Sequence, residues 1–209
     1  MSIRQTRNTK AAILDASTRL FSERGFAAVT VKDIAAEVGI KDASLYNHFK
    51  SKQEIFDTII DEALAVLKEA YGRQGILYEE TDDASGYSGI PFDVLREKIL
   101  ITFDYFFNDA RIVQLRHLLV INQFESKKAG DAYRLIFIER PLALQKTVFE
   151  QLIATGEFEY ADSQQLALEF YGPIFIMLHA ETAWHDAKPI IAAHLESFYL
   201  THTIRKELP

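Results

Sequence analysis

The side chains best suited to chemistry are concentrated in one short segment, residues 41–52. Four hydrogen-bonding groups are predicted to share the exposed face of one short helix: Ser44, Tyr46, Asn47 and His48. Three lysines flank that face: Lys41, Lys50 and Lys52. Short or planar polar groups on a helix can read base edges in a groove, and flanking cations can contact phosphates. The segment therefore predicts contact with duplex DNA.

Enzymatic chemistry has little support in the sequence. The chain has no cysteine, which excludes disulfides, thiolate nucleophiles and thiolate metal ligands. Its six histidines do not form a metal-binding H-E-x-x-H motif, and the nearest group, His179, Glu181 and His185, does not share one helix face. We also find no P-loop and no G-x-G-x-x-G. We expect no catalytic residues, no metal, no cofactor and no enzyme.

Charge is distributed unevenly along the chain. Nine of the 23 basic residues and five of the 30 acidic ones lie in residues 1–52, so that this segment is +4 and the remainder is −11. A basic head on an acidic body fits a protein whose head contacts a polyanion. The alternative is a chance imbalance of surface charge.

The whole chain is predicted to be all-α, with about nine helices. Glycine and proline are scarce, at nine and five of 209 residues, and helical periodicity recurs without sustained strand alternation. The N-terminus is basic and polar, and no apolar run approaches the ~20 residues needed to span a bilayer. We therefore expect a cytoplasmic protein that makes no contact with membranes.

The first helices form a helix-turn-helix pattern. A first helix is predicted to end at Gly25, and Thr30, with Asp33 three residues later, is typical of an N-cap. Gly39 suits the turn that follows, because it tolerates left-handed backbone. Ala35 is small where the two helices must approach. The apolar residues expected to pack the pair are Val31, Ile34, Val38, Ile40, Leu45 and Phe49.

The remaining helices are predicted from caps and periodicity. Asp42 is expected to cap the second helix of the pair (Ala43 to about Phe49), Ser51 a longer one, and Asp162 a helix reaching about His185. Residues 71–91, rich in glycine and acids, are predicted to be a solvated loop. Pro141 should kink or divide a helix over 130–155, and Pro189 should lie in the first turn of the last helix.

Three blocks in this order resemble the N-terminal domain of the TetR family of bacterial transcriptional regulators: RLFSERGF, TVKDIAAEVG and SLYNHFKSK. The resemblance covers about residues 9–60. It implies a DNA-binding domain over residues 1–52 and a helical effector-binding and dimerisation domain over 53–209. It further implies a homodimeric repressor that binds a palindromic operator and releases it when a small molecule occupies the body.

The resemblance also implies roles for individual residues. Four fall where family members commonly address base edges: Lys41, Ala43, Ser44 and Asn47. Four others fall where phosphate contacts are usual: Thr30, Tyr46, His48 and Lys52. Family members often carry a second aromatic residue at the position of Asn47 or His48, where this chain has none beside Tyr46.

Two further sites are expected in the body. The last two helices are apolar on most sides, which is typical of a buried interface; the residues expected to pair two copies are Phe170, Ile174, Phe175, Leu178, Ile191, Leu195, Phe198 and Tyr199. A pocket for an apolar or aromatic effector is expected in the middle helices, from Phe103, Phe107, His117, Asn122, Phe124 and Phe137. The alternatives are a monomer core and ordinary packing.

A different function stays open at this point. The body of a DNA-binding protein can also dock a protein partner and bind no small molecule, and the acidic segment around Glu79–Asp83 would suit such contacts. A ligand-sized cavity between the middle helices would distinguish the two. Effector identity, operator sequence, and repression versus activation are not encoded in any pattern that we find.

Overall fold

The computed structural model describes residues 3–74 and 83–204, and their regular structure is helical. The elements in chain order are α1 (Ile3–Arg24), α2 (Val31–Val38), α3 (Asp42–Leu45), α4 (Lys52–Gln74), a 3-10 turn (Ala84–Tyr87), α5 (Phe92–Asn108), α6 (Ala110–Asn122), α7 (Lys127–Arg134), a π-helical segment (Leu135–Glu139), α8 (Arg140–Ala154), α9 (Ser163–His179) and α10 (Trp184–His202). If α7, the π-helical segment and α8 are counted as one continuous helix, the described residues form nine helices. The all-α prediction is confirmed.

The chain folds into two compact units. The first contains residues 1–69 and 113–134, and the second contains residues 70–112 and 135–209. This division differs from a boundary at 52/53, because most of α4, the C-terminal part of α6 and all of α7 belong to the first unit. One physical reason is Asn122, which hydrogen-bonds to the turn after α1.

Three predicted helix caps are present. The Thr30 hydroxyl accepts a hydrogen bond from the Asp33 N–H in a capping box, and the Ser51 hydroxyl accepts one from the Glu54 N–H at 3.1 Å. Asp162 accepts from the N–H groups of Gln164 and Gln165 at 2.8 and 3.0 Å. Each cap satisfies N–H groups that lack a partner inside the helix.

Several predicted boundaries are wrong. Helix α3 has Lys41 as its N-cap, Asp42 lies inside its first turn, and regular helix ends at Leu45, followed by a turn. Helix α9 ends at His179 rather than near His185, and α10 begins at Trp184, which leaves Pro189 inside the helix. Helix α4 continues to Gln74, and a 3-10 turn covers 84–87. Residues 75–82 of the predicted loop lie outside the described residues.

The predicted disturbance at Pro141 takes the form of the π-helical segment. Proline has no N–H, so it cannot donate to the carbonyl four residues earlier, which belongs to Phe137. The buried Tyr171 hydroxyl donates to that carbonyl at 3.0 Å. The Tyr171 side chain thus gives this carbonyl a donor where proline has none, and α8 continues past Pro141 to Ala154.

The core of the second unit is aromatic. Phe149 contacts three other rings, with centroid distances of 5.8 Å to Phe158, 5.6 Å to Phe170 and 5.2 Å to Phe198. An isolated antiparallel bridge joins Phe158 to Thr203. It places the end of α10 beside the segment between α8 and α9.

None of the helices within 3–74 and 83–204 is long and apolar enough to cross a membrane.

Candidate nucleic-acid interface and ligand cavity

The turn between α2 and α3 is closed by backbone hydrogen bonds. Gly39 has φ +75°, in the left-handed region that favours glycine. The Ile40 N–H donates to the Ala35 carbonyl at 2.9 Å and the Gly39 N–H donates to the Ala36 carbonyl at 3.1 Å. Ala35 is fully buried, as the close approach of the two helices requires. The segment is a helix-turn-helix, as the sequence predicted.

Residues 41–49 separate cleanly into a buried and an accessible side. Leu45 and Phe49 are buried, at 0% and 2% exposure, and anchor the segment to the rest of the first unit. The opposite side contains the side chains that were predicted to contact DNA. Lys41, Ala43, Tyr46 and Asn47 are exposed, whereas Ser44 and His48 are half-buried. All six are therefore accessible to a partner, and their contacts with DNA stay predictions.

Thr30 already has a role in the folded chain. Its hydroxyl donates to Asp33 Oδ2 at 2.6 Å, and its backbone N–H donates to the same oxygen at 2.7 Å. These bonds, from the Thr30 side chain and then its backbone, hold the pKa of the Asp33 carboxyl below its usual value. If the Thr30 hydroxyl contacted a phosphate, the same hydroxyl would have to serve both the phosphate and the cap of α2.

The environment of Lys52 differs from the DNA-facing surface that was predicted for it. Its ammonium donates to the carbonyls of Phe26 and Val29, at 2.6 and 2.7 Å. It also lies 4.1 Å from the centroid of the Phe26 ring, within the range of a cation–π contact. Burial lowers the pKa of the Lys52 ammonium. Of its three N–H groups one is left for a phosphate, so the structure assigns Lys52 first to positioning the turn between α1 and α2.

Phe26 is contacted from a second direction. Its N–H donates to the Asn122 side-chain oxygen at 2.7 Å, and the Asn122 amide nitrogen donates to the Leu118 carbonyl at 2.7 Å. Asn122 is fully buried. The turn that leads into the helix-turn-helix is thus held between the start of α4 and the end of α6. Sequence reasoning missed this role, since no local pattern relates residues 96 positions apart.

A cavity of about 420 Å³ lies within the second unit, between α5, α8, α9, α10 and residues 83–90. This volume is within the usual range for small-molecule sites. Phenylalanine rings form much of its wall: Phe92, Phe103, Phe149, Phe158, Phe170 and Phe198. Its few polar side chains include Asp83, Lys98, Thr102 and Gln145. The arrangement suits a mainly apolar molecule.

The predicted effector residues are mostly elsewhere. Of the six, Phe103 lines this cavity. Phe124 is 93% exposed, and Phe107 packs on Trp184 with ring centroids 5.1 Å apart. Asn122 and His117 belong to the first unit, and buried Phe137 is absent from the cavity wall. The cavity thus gives no support to the other five positions, whose role in effector binding stays a prediction, because aromatic content does not reveal which side of a helix faces empty space.

The predicted dimer residues are largely core of a single chain. Phe170, Ile174, Leu178, Ile191, Leu195 and Phe198 are all at most 5% exposed, while Phe175 and Tyr199 are half-buried. Side chains that one chain already buries offer little surface to a second copy, and the pairing of two chains through these eight residues stays a prediction. The same helices carry other large apolar side chains that are exposed, each by 48–66%: Leu168 and Ile176 on α9, and Ile190 and Leu200 on α10.

The comparisons with known proteins agree with the geometry of the head. The family model described as bacterial regulatory proteins, tetR family, matches residues 13–59. The transcriptional repressor KstR2 of Mycobacterium tuberculosis is 41% identical over 153 residues, covering 73% of this chain and 68% of that protein. KstR2 of Mycolicibacterium smegmatis is 28% identical over 153 residues, covering 73% and 66%. The chain thus spans about two thirds of these relatives.

Solved structures resemble the fold over almost the whole chain. A TetR-family regulator from Mesorhizobium loti has a TM-score of 0.67 at 18% identity, covering 98% of this chain and 100% of that one. The ketosteroid transcriptional regulator KstR2 of M. tuberculosis has a TM-score of 0.61 at 22% identity, covering 94% and 95%. A complex of SmeT with triclosan has a TM-score of 0.62 at 18% identity, covering 97% and 99%.

The prediction that the chain is not an enzyme is confirmed by these relatives, which are transcriptional regulators. The helix-turn-helix, the family match over it and the 41% identity to a repressor give one conclusion. This chain belongs to the TetR family of bacterial regulatory proteins.

Proposed function

We propose that this chain is a ligand-responsive transcriptional repressor that binds a palindromic operator as a homodimer. The observation that carries the proposal is the exposure pattern of residues 41–48. Lys41, Tyr46 and Asn47 project from a segment whose buried side is anchored by Leu45 and Phe49. An accessible polar face on a rigidly packed segment is what entry into a major groove requires. The names of the curated relatives support repression.

The contacts with DNA divide into two classes. Lys41, Ala43, Ser44 and Asn47 read base edges, which gives sequence preference. Tyr46 and His48 contact phosphates, which positions the head without selecting sequence. Thr30 and Lys52 contribute chiefly by holding the α1–α2 turn, because both have partners within the chain.

The dimer forms through the outer faces of α9 and α10. Ile176 of α9 is 66% exposed, and Ile190 and Leu200 of α10 are 56% and 58% exposed. Large apolar side chains left in solvent on two neighbouring helices favour an interface, and a second copy of the chain would cover them. Two heads then reach successive major grooves, about 34 Å apart.

The cavity binds the effector. Its volume of about 420 Å³ and its phenylalanine wall suit an apolar or aromatic small molecule. Two proteins of similar fold support this assignment: one is a ketosteroid transcriptional regulator, and the other is SmeT in complex with triclosan. Effector binding lowers operator affinity, and reciprocity requires that the operator lower effector affinity by the same factor.

The test is selection of bound sequences from random duplex DNA with the full chain. We expect the enriched sequences to be palindromic, with half-sites one helical turn of DNA apart. Asn47→Ala should change which DNA sequences are enriched. Asn108 is a surface asparagine at the end of α5, and Asn108→Ala should leave the enriched sequences unchanged. Failure of every sequence to enrich above random DNA would overturn the proposal.

A further inference from the structure

The cavity has an uneven distribution of polar groups. Its wall is dominated by phenylalanine and aliphatic side chains from α5, α8, α9 and α10. Lys98 of α5 is exposed and Gln145 of α8 is half-buried, although both line the cavity. These two side chains therefore lie where the cavity meets solvent, while the interior is apolar.

Two other polar side chains of the wall, Asp83 and Thr102, already have partners within the chain. Both carboxylate oxygens of Asp83 accept hydrogen bonds from Ser85, one from its N–H and one from its hydroxyl, each at 2.8 Å. The Thr102 hydroxyl donates to the Lys98 carbonyl at 2.9 Å. Each Asp83 oxygen and the Thr102 hydroxyl proton are thus engaged within the chain, while the Asp83 carboxylate keeps its negative charge.

Lys98 and Gln145 carry the side-chain N–H donors of the cavity wall. Among the cavity-lining residues that the structure describes, Lys98 is the one with a positive charge, and its ammonium has no ion pair within 3–74 and 83–204. The Gln145 carboxamide likewise has no hydrogen-bond partner within the described chain. An ammonium offers three N–H groups and a carboxamide offers two. Both therefore favour an acceptor, and an ionised acceptor most.

We propose that the ligand of this cavity is an amphipathic acid, with an apolar chain or ring system inside and a carboxylate at the opening held by Lys98 and Gln145. This inference rests on the proposed ligand-binding role of the cavity. It narrows the effector from apolar molecules in general to those with one acidic end. Neutral and cationic molecules with the same apolar part are then poorer ligands than the acid, because Lys98 attracts an anion and repels a cation.

The experiment uses the full chain and three ligands that share one twelve-carbon tail: dodecanoate, dodecan-1-ol and dodecylammonium. Each displaces the neutral fluorescent probe N-phenyl-1-naphthylamine at concentrations below micelle formation. We expect dodecanoate to bind about fivefold more tightly than dodecan-1-ol, the size expected of one solvent-accessible charge pair. Lys98→Gln should reduce this preference to less than about twofold. The far-UV circular dichroism of the variant should match that of the parent chain, which reports that the variant is folded.

The matched control is Lys188→Gln, because Lys188 is an exposed lysine of the same unit outside the cavity wall. It should leave all three affinities unchanged. Equal affinity for the acid and the alcohol would overturn the inference while leaving the cavity as a ligand site. Preference for dodecylammonium would overturn it in favour of recognition by Asp83. Failure of the probe and all three ligands to bind would instead overturn the ligand-binding function itself.

Discussion

The Asn122 side-chain oxygen accepts a hydrogen bond from the Phe26 N–H at 2.7 Å, across 96 residues of sequence. Asn122 is fully buried, and its amide nitrogen donates to the Leu118 carbonyl in its own helix. This pair connects the end of α6 with the turn that precedes the helix-turn-helix. A polar pair of this kind is costly to break, since the Asn122 side chain is shielded from water.

Asn122→Ala is expected to destabilise the chain by about 1–3 kcal/mol, because it leaves the Phe26 N–H without its acceptor. Urea unfolding followed by circular dichroism measures the change. Gln123→Ala is the control: that side chain donates to the Val120 carbonyl on the surface, and its loss should cost less than about 0.5 kcal/mol. Equal stability of the two variants would contradict the assigned role of Asn122.

Lys52→Ala is expected to lower the free energy of unfolding by about 1–2 kcal/mol, because two carbonyls lose a charged donor. The exposed Lys50 provides the comparison, and Lys50→Ala should change stability by less than about 0.5 kcal/mol. Operator affinity against salt concentration then separates positioning from phosphate contact. A side chain that binds a phosphate contributes about one to the slope, and we expect that loss for Lys50. A Lys52 variant as stable as the parent protein would refute the positioning role.

The N-terminus of α2 should weaken in acid. Hydrogen bonds from Thr30 lower the pKa of Asp33 in the folded chain. A lowered carboxyl pKa contributes stability that is fully present above the unfolded pKa, near 3.8, and disappears as pH falls through the folded pKa. The difference in unfolding free energy between the parent protein and Asp33→Asn should therefore be constant above about pH 5 and shrink below about pH 4. Asp83 and Asp131 also have lowered pKa values, so only the difference between the two proteins isolates Asp33.

Tyr171→Phe should cost about 1–2 kcal/mol, because it removes the donor to the Phe137 carbonyl beside the π-helical segment. The control is Tyr160→Phe, since the Tyr160 side chain is 95% exposed and should contribute almost nothing. Adding Pro141→Ala restores a backbone N–H in the helix. The Tyr171→Phe penalty should be smaller in that background, and a double-mutant cycle measures the difference. Strict additivity would show that the hydroxyl does not compensate for the proline.

The dimer is tested at Ile176, the most exposed isoleucine of α9. Ile176→Glu places a charge at the centre of the proposed interface and should convert the dimer to a monomer in sedimentation velocity at micromolar concentration. Val94→Glu, on the exposed side of α5, should leave the dimer intact. A parent chain that stays monomeric at all concentrations would exclude this interface before any variant is made.

Local features of the fold were predictable, and long-range ones were not. Thr30, Ser51 and Asp162 were identified as caps because a cap depends on residues within three positions of it. Pro189 was misplaced because a proline suits the first helical turn but does not require it. Helical periodicity identified α9 and α10 as apolar on most sides, yet it could not tell which side one chain buries.

The candidate sites also divide into features that local sequence predicts and features that depend on long-range packing. The accessible face of residues 41–48 follows from the spacing of Leu45 and Phe49, which the sequence displays directly. Phe124 was expected to line a pocket and is almost fully exposed, while Phe149 and Phe198, which do line the cavity, carried no distinguishing signal. Phenylalanines in a core and around an empty volume have the same periodicity. Only the assembled backbone distinguishes them.

The antiparallel bridge between Phe158 and Thr203 joins the interior of the second unit to the end of its last helix. The neighbouring amides of Glu159 and Ile204 donate to the His202 and Glu157 carbonyls, at 2.8 and 3.0 Å. We expect a molecule that pushes the Phe158 ring outward to strain these two hydrogen bonds. Occupancy of the interior should then be detectable as faster deuterium uptake at Glu159 and Ile204, near the C-terminus, without any label on the molecule that enters.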